Sequence, residues 1–164
     1  MVTFKGEPLT LTRSPLTNGT KMPEFKATSN DMSDFLSTTL NGKVAVVLSV
    51  PSIDTPTCDI EVKRFNKEAE KLDAQVIVVS YDLPFAQKRW CASNGVSNVQ
   101  TVSDYKYRDF GEKFGVFIPS WGLLARGVFV FNKSSVLTYN EYVSDISQEP
   151  KYDEALKAIS SALE

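Results

Sequence analysis

The sequence predicts a three-layer α/β sandwich with an added β-hairpin at its N-terminus, built as one domain over residues 1–164. Three observations predict it. Two short apolar runs, Val44 to Val50 and Val76 to Tyr81, are each followed by a helical pattern, as expected of parallel strands joined by crossover helices. Two further strand-like segments, Arg126 to Phe131 and Val136 to Glu141, precede a closing amphipathic stretch from Tyr152 to Leu163. The 42% hydrophobic content supplies enough apolar surface for a core, and no repeat, low-complexity tract or composition shift marks a second domain.

Taken in order, Val2-Thr3-Phe4-Lys5 and Leu9-Thr10-Leu11-Thr12 alternate apolar and polar residues around Gly6-Glu7-Pro8, which predicts the hairpin. Residues 13–43 are rich in Ser, Thr and Asn and read as mostly loop. Val44 to Val50 is a buried strand, Pro51 to Thr57 interrupts it, and a helix follows to about Leu72. Val76 to Tyr81 is the second buried strand. Asp82-Leu83-Pro84 opens a helix that Asn94-Gly95 closes, since glycine takes the left-handed conformation at a helix C-terminus without a steric penalty. Val99 to Val102 is a short third strand, and Phe110 to Phe114 a helical turn. Asn132 to Ser135 joins the last two strands, and Tyr152 to Leu163 is the terminal helix. A β-α-β-α-β unit followed by β-β-α is the thioredoxin-like layout.

Charge and composition exclude several functions. With 18 basic and 20 acidic residues, a net charge of -2 and no run of Lys or Arg, the chain offers no field for a phosphate backbone, so no nucleic-acid partner is expected. The absence of histidine removes Ser-His-Asp and Cys-His nucleophile pairs and the commonest metal ligand, and nothing calls for a metal or a cofactor. Val44 to Leu48, Val76 to Val79 and Val128 to Phe131 are far shorter than the ~20 residues of a membrane helix, and Met1 to Thr10 lacks a signal-peptide stretch. A soluble, cytoplasmic protein without membrane contacts is expected. Such a domain needs no disulfide staple, so a bond between its two cysteines reads as redox-active rather than structural.

Any chemistry must then come from Cys, carboxylates, Lys or Arg, and the informative stretch is Pro51-Ser52-Ile53-Asp54-Thr55-Pro56-Thr57-Cys58-Asp59. Thr55 suits the helix N-cap and Pro56 the first helical position, which puts Cys58 third, over the free amides of the first turn. Those amides and the positive end of the helix dipole favour a thiolate. Cys58, Val62, Phe65, Ala69 and Leu72 also share an apolar face, and burial there disfavours charge, so a nearby cation is needed to decide for thiolate. A cysteine on such a face is commonly a small core residue. A core cysteine, however, gains nothing from a Thr-Pro cap, whereas a nucleophile does. The charged segment from Glu61 to Glu70 reads as a solvated helix face.

Pro51, Thr55 and Cys58 reproduce the Pro-x3-Thr-x2-Cys motif of peroxiredoxins. Ser80-Tyr81-Asp82-Leu83-Pro84-Phe85-Ala86-Gln87-Lys88-Arg89-Trp90-Cys91 resembles the signature of their thiol peroxidase subfamily, S-x-D-L-P-F-A-x-x-R-[FW]-C. The likeness runs from the hairpin to Glu149-Pro150, without departure at the motif positions. It implies an atypical two-cysteine peroxiredoxin and a homodimer. Cys58 would attack a hydroperoxide to give a sulfenic acid, and Cys91 of the same chain would resolve it to a disulfide that thioredoxin reduces. It further implies an arginine contacting the thiolate, at the position of Arg126, with Thr55 and the first-turn amides as further donors and Pro51 as an architectural residue. Organic hydroperoxides are the expected substrates, because the face around Cys58 is apolar.

Two alternatives stay open on the residues alone. A dithiol oxidoreductase wants Cys-x-x-Cys, and Thr55 stands where its second thiol should be. A non-catalytic domain stapled by Cys58 and Cys91 is the other, and peroxide consumption separates it from an enzyme. Phe85, Trp90, Phe117 and Trp121 are candidates for a pocket wall, although aromatics at such positions are usually core.

Overall fold

The computed structural model describes all 164 residues. The N-terminal ribbon pairs β1 (Val2–Phe4) with β2 (Glu7–Leu9). The sequence reading started the second strand at Leu9. Lys5 and Gly6, at φ 48° and 87°, instead form the whole turn, as a two-residue hairpin loop requires. Pro8 is accommodated because a two-stranded ribbon has only edge strands.

The central sheet has seven strands, formed by β3 (Lys26–Ser29), β4 (Asp34–Leu36), β5 (Ala45–Ser49), β6 (Gln75–Ser80), β7 (Gln100–Ser103), β10 (Gly127–Phe131) and β11 (Leu137–Tyr142), in the order β11-β10-β5-β6-β7-β3-β4. Strands β5, β6 and β7 run parallel. Helix α1 (Pro56–Ala69) joins the first two and α2 (Pro84–Asn94) the second two, while β10 and β11 complete one side antiparallel. Strand β5 is buried along its full length, which is why it reads as an unbroken apolar run rather than an alternating one.

Alternate residues of the sheet feed two cores. Val46, Leu48 and Val78 meet Cys58, Val62 and Phe65 of α1, together with Ala155 and Ile159 of α4 (Tyr152–Leu163). Val47, Ile77 and Phe129 point the other way, onto Phe25, Phe110 and Phe114. That second layer is built from α3 (Phe110–Lys113) and the N-terminal third of the chain. Asp104 accepts the Asp109, Phe110 and Gly111 amides and so holds the start of α3.

The stretch read as loop contains β3, β4 and a 3-10 turn at Ser37–Leu40. Lys-Ala-Thr-Ser and Asp-Phe-Leu are too short and polar for a periodicity signal. They become strands because β3 finds the open edge of β7. Likewise β8 (Phe117–Ile118) and β9 (Leu123–Leu124) exist through each other, in a two-residue pairing. Helix α1 stops at Ala69 rather than Leu72, where Lys71 and Leu72 donate to carbonyls three residues back and tighten the last turn. No helix is long and apolar enough to cross a membrane.

Candidate active site

The local sequence around Cys58 folds as its cap chemistry dictates. Thr55 is the N-cap, in extended conformation, and its hydroxyl oxygen accepts from the Cys58 amide at 3.2 Å. The same hydroxyl donates to the Ser52 carbonyl at 3.1 Å. Thr55 is thus used as both acceptor and donor, and the loop from Pro51 is folded back under α1. Asp82 completes this fold-back. Its carboxylate accepts from the Ser52 hydroxyl at 2.7 Å and the Ile53 amide at 2.9 Å, while the Ser80 hydroxyl donates to it at 2.6 Å. The Ser-x-Asp part of the second motif therefore ties the end of β6 to the loop that presents Cys58.

Arg126, between β9 and β10, reaches the same point from across the sheet. It is 1% exposed, and its Nη1 lies 3.3 Å from Cys58 Sγ and 2.5 Å from Glu61 Oε2. Its other nitrogens, Nε and Nη2, donate to the Ile146 carbonyl at 3.1 and 2.8 Å. The cation that the sequence argument required is present, and it is aimed by a carbonyl and a carboxylate rather than left mobile. Burial works against the Arg126 charge, but attraction to Glu61 and Cys58 outweighs it and raises its pKa above the usual value.

Glu61 corrects the expectation of a solvated face from Glu61 to Glu70. It is fully buried. Third after Cys58 on α1, it shares the inward side of the helix, which its charge alone did not suggest. Burial pushes its pKa up to about 7 against the pull of Arg126, and Glu141 and Glu149 add to the rise. Its Oε1 has no hydrogen-bond partner. Because its unfolded value is lower, Glu61 contributes stability below about pH 4.5 and loses that contribution as pH rises through about 7. Urea titrations should therefore show wild type losing stability relative to Glu61→Gln across this window, by at most roughly 3 kcal/mol. A stability difference that stays flat with pH would contradict the assignment.

Cys91 lies in the last turn of α2, half-buried and unbonded to Cys58. Its sulfur is 3.5 Å from the Thr101 hydroxyl. Burial pushes its thiol above the usual value, with partial relief from Thr101. The helix begins at Pro84 and ends on Gly95 at φ 64°, as its sequence predicts. Both cysteines border the core beneath the helical layer.

Cys58 itself has no solvent exposure. Beside it opens a cavity of about 340 Å³ whose walls include Phe4, Pro51, Thr55, Trp121, Arg126 and Ile146. Of the aromatics marked as candidates, Trp121 lines this space. Phe85 is 65% exposed, Phe117 packs against Tyr81 at 5.9 Å, and Trp90 faces α1. Phe4 was not anticipated. The hairpin carries it there because Thr3 donates to the Ser144 carbonyl at 2.8 Å and the Asp145 carboxylate accepts from Gly6 at 3.1 Å. Phe4 then meets Trp121 edge to face, with ring centroids 4.9 Å apart. Glu61, Asp82 and Ile146 were missed with it. Two of these carry a sequence signal: Glu61 by its position three residues after Cys58, and Asp82 by its place in the Ser-x-Asp start of the second motif.

Comparison with known proteins places the chain in a family. The Redoxin family model matches residues 17–156. The chain is 45% identical over 163 residues to a thiol peroxidase of Halalkalibacterium halodurans, covering 99% of this chain and 98% of that one. It is 43% identical to a thiol peroxidase of Bacillus subtilis, covering 96% and 95% respectively. Among solved structures, a peroxiredoxin-like protein from Aquifex aeolicus superposes with a TM-score of 0.93 at 38% identity, over 98% of this chain and 96% of that one.

Proposed function

Because the chain belongs to the thiol peroxidases of the redoxin family, and is a peroxiredoxin-type enzyme, we propose that Cys58 is its peroxidatic thiolate and Cys91 its resolving thiol. The observation that carries this reading is the Arg126 guanidinium 3.3 Å from Cys58 Sγ at the wall of an apolar cavity.

Cys58 sulfur attacks the distal peroxide oxygen, the S–O bond forms as the O–O bond breaks, and the alkoxide leaves with a proton. The products are a sulfenic acid and an alcohol, or water from hydrogen peroxide. The Cys91 sulfur then displaces water from the sulfenic acid to give the Cys58–Cys91 disulfide. The dithiol of thioredoxin reduces that bond and is itself oxidised.

Magnitudes say where the acceleration arises. A thiol of pKa about 8.5 is ~7% ionised near pH 7.4, so full ionisation gains only ~14-fold. Lower basicity also weakens the nucleophile, by ~10-fold for a drop of about 2.5 units. The two nearly cancel, which leaves alignment of the peroxide and stabilisation of charge on both oxygens as the main effects. Arg126 is the charged donor at the cavity wall, while the Thr55 hydroxyl is committed to the Ser52 carbonyl and positions the loop.

Organic hydroperoxides are the preferred substrates in this reading, because Phe4, Trp121 and Leu123 offer a hydrocarbon tail area to bury at ~25 cal/mol per Å². Stopped-flow rate constants should favour cumene hydroperoxide over hydrogen peroxide, and Trp121→Ala should narrow the gap. Equal constants in wild type would refute the preference. The homodimer, the thioredoxin partner and a cytoplasmic setting belong to the same proposal. Thioredoxin-coupled peroxide turnover by the purified protein tests its core.

A further inference from the structure

The chain neighbours of the two cysteines are bonded to each other. Trp90, just before Cys91, donates its indole N–H to Oδ1 of Asp59, just after Cys58, at 3.1 Å. Lys63 holds the other oxygen of that carboxylate at 2.8 Å, which fixes its direction toward Trp90.

The rest of α2 shows why this contact matters. The helix is anchored near its start, where Gln87 is fully buried and its amide donates to the Ser80 hydroxyl at 3.1 Å and the Val102 carbonyl at 2.9 Å. Beyond the helix, Val96 is buried in the core, and the Asn98 amide donates to Asn66 of α1 at 2.7 Å. Between them, Ala92, Ser93 and Asn94 are exposed, and the Trp90–Asp59 bond is the side-chain hydrogen bond from this stretch to α1. The turn carrying Cys91 is therefore held at its two ends and latched once in the middle. Cys58, meanwhile, has no solvent exposure, and the latch acceptor is the next residue of the same helical turn.

We propose that the Asp59–Trp90 hydrogen bond is a latch that keeps the Cys91 turn of α2 docked and so sets the rate at which the oxidised Cys58 is resolved. The inference rests on the reading of Cys58 and Cys91 as a peroxidatic and resolving pair. Asp59 acts as a positioning residue. While the latch holds, Cys91 stays half-buried against Thr101, where its thiol keeps its proton. Once it opens, residues 88–95 can unwind between Gln87 and the buried Val96, and Cys91 can bring its Cα within the ~7 Å a disulfide needs. A closed latch prolongs the sulfenic acid, which a second hydroperoxide converts to a sulfinic acid, with S–O formation, O–O cleavage and release of an alcohol.

The test separates hydrogen bonding from charge. Asp59→Ala and Asp59→Asn lose the same charge, so any effect transmitted through the electrostatics of Cys58 is common to both, but Asn retains an acceptor oxygen. Trp90→Phe keeps the ring and removes the donor. Each protein receives peroxide, is quenched by thiol alkylation, and is scored by mass spectrometry for sulfenic acid, disulfide and sulfinic acid. Asp59→Ala and Trp90→Phe should form the Cys58–Cys91 disulfide roughly tenfold faster than wild type, as loss of one charge-assisted hydrogen bond allows. They should also yield less than about half the sulfinic acid at excess peroxide, and Asp59→Asn, which keeps a neutral acceptor, should fall between Asp59→Ala and wild type. Unchanged disulfide rates in Asp59→Ala and Trp90→Phe, or identical behaviour of Asn and Ala, would overturn the latch. Peroxide consumption by wild type without any Cys58–Cys91 disulfide would instead overturn the underlying assignment of Cys91, and the latch with it.

Discussion

Cys58→Ser is expected to abolish peroxide turnover, whereas Cys91→Ser is expected to consume about one equivalent of peroxide and stop as a sulfenic acid. The asymmetry follows from where each sulfur sits. Cys58 is third in α1, in a helix capped by Thr55, and 3.3 Å from the Arg126 guanidinium, so its environment supplies a cationic donor at the positive end of the helix. Cys91 is near the C-terminus of α2, where the helix dipole disfavours an anion and burial pushes its thiol up. Only the first position sets a guanidinium beside its sulfur. A serine hydroxyl at 58 cannot replace the thiolate, and the loss should reach the uncatalysed background. The measurement is peroxide consumed per chain, with and without thioredoxin, together with the mass of the stalled product. Sustained thioredoxin-coupled turnover by Cys91→Ser would show that resolution does not use Cys91.

Arg126→Lys should lower the rate constant for peroxide by about 10²-fold, the size of effect seen when a preorganised donor to developing charge is removed. Arg126 uses three nitrogens at once, with Nε and Nη2 on the Ile146 carbonyl and Nη1 between Cys58 Sγ and Glu61. A lysine ammonium has no planar fork and cannot hold these partners in one geometry. Part of any loss in Arg126→Ala would instead be stability, because breaking a buried pair strands the Glu61 charge at a cost of ~3–5 kcal/mol. Combining Arg126→Ala with Glu61→Gln separates the two effects. The pair should recover much of the stability in urea while the peroxide rate stays low. A rate for Arg126→Lys within twofold of wild type would remove Arg126 from the chemistry.

Much of this site is legible in the sequence because it is built by local rules. Thr55 and Pro56 cap and start α1, and that alone puts Cys58 third in the helix. Pro84 and Gly95 bound α2 in the same way and place Cys91 near its end. The unbroken apolar runs of β5 and β6 announce strands covered on both faces, and from them the order of the layers follows.

Other features depend on contacts between residues distant in the chain, and no local pattern encodes those. Strands β3 and β4 are short polar segments that exist because β7 has a free edge. The hairpin becomes part of the cavity beside Cys58 only because Asp145, more than a hundred residues later, receives Gly6. Glu61 carries the signature of a solvated acid, and the tertiary structure alone buries it by bringing Arg126 across the sheet. Cap chemistry and hydrophobic periodicity act within a turn or two of helix, so they can be read one segment at a time. A buried charge or a cavity wall is decided by what the fold places opposite it, and that partner is settled only when the layers close.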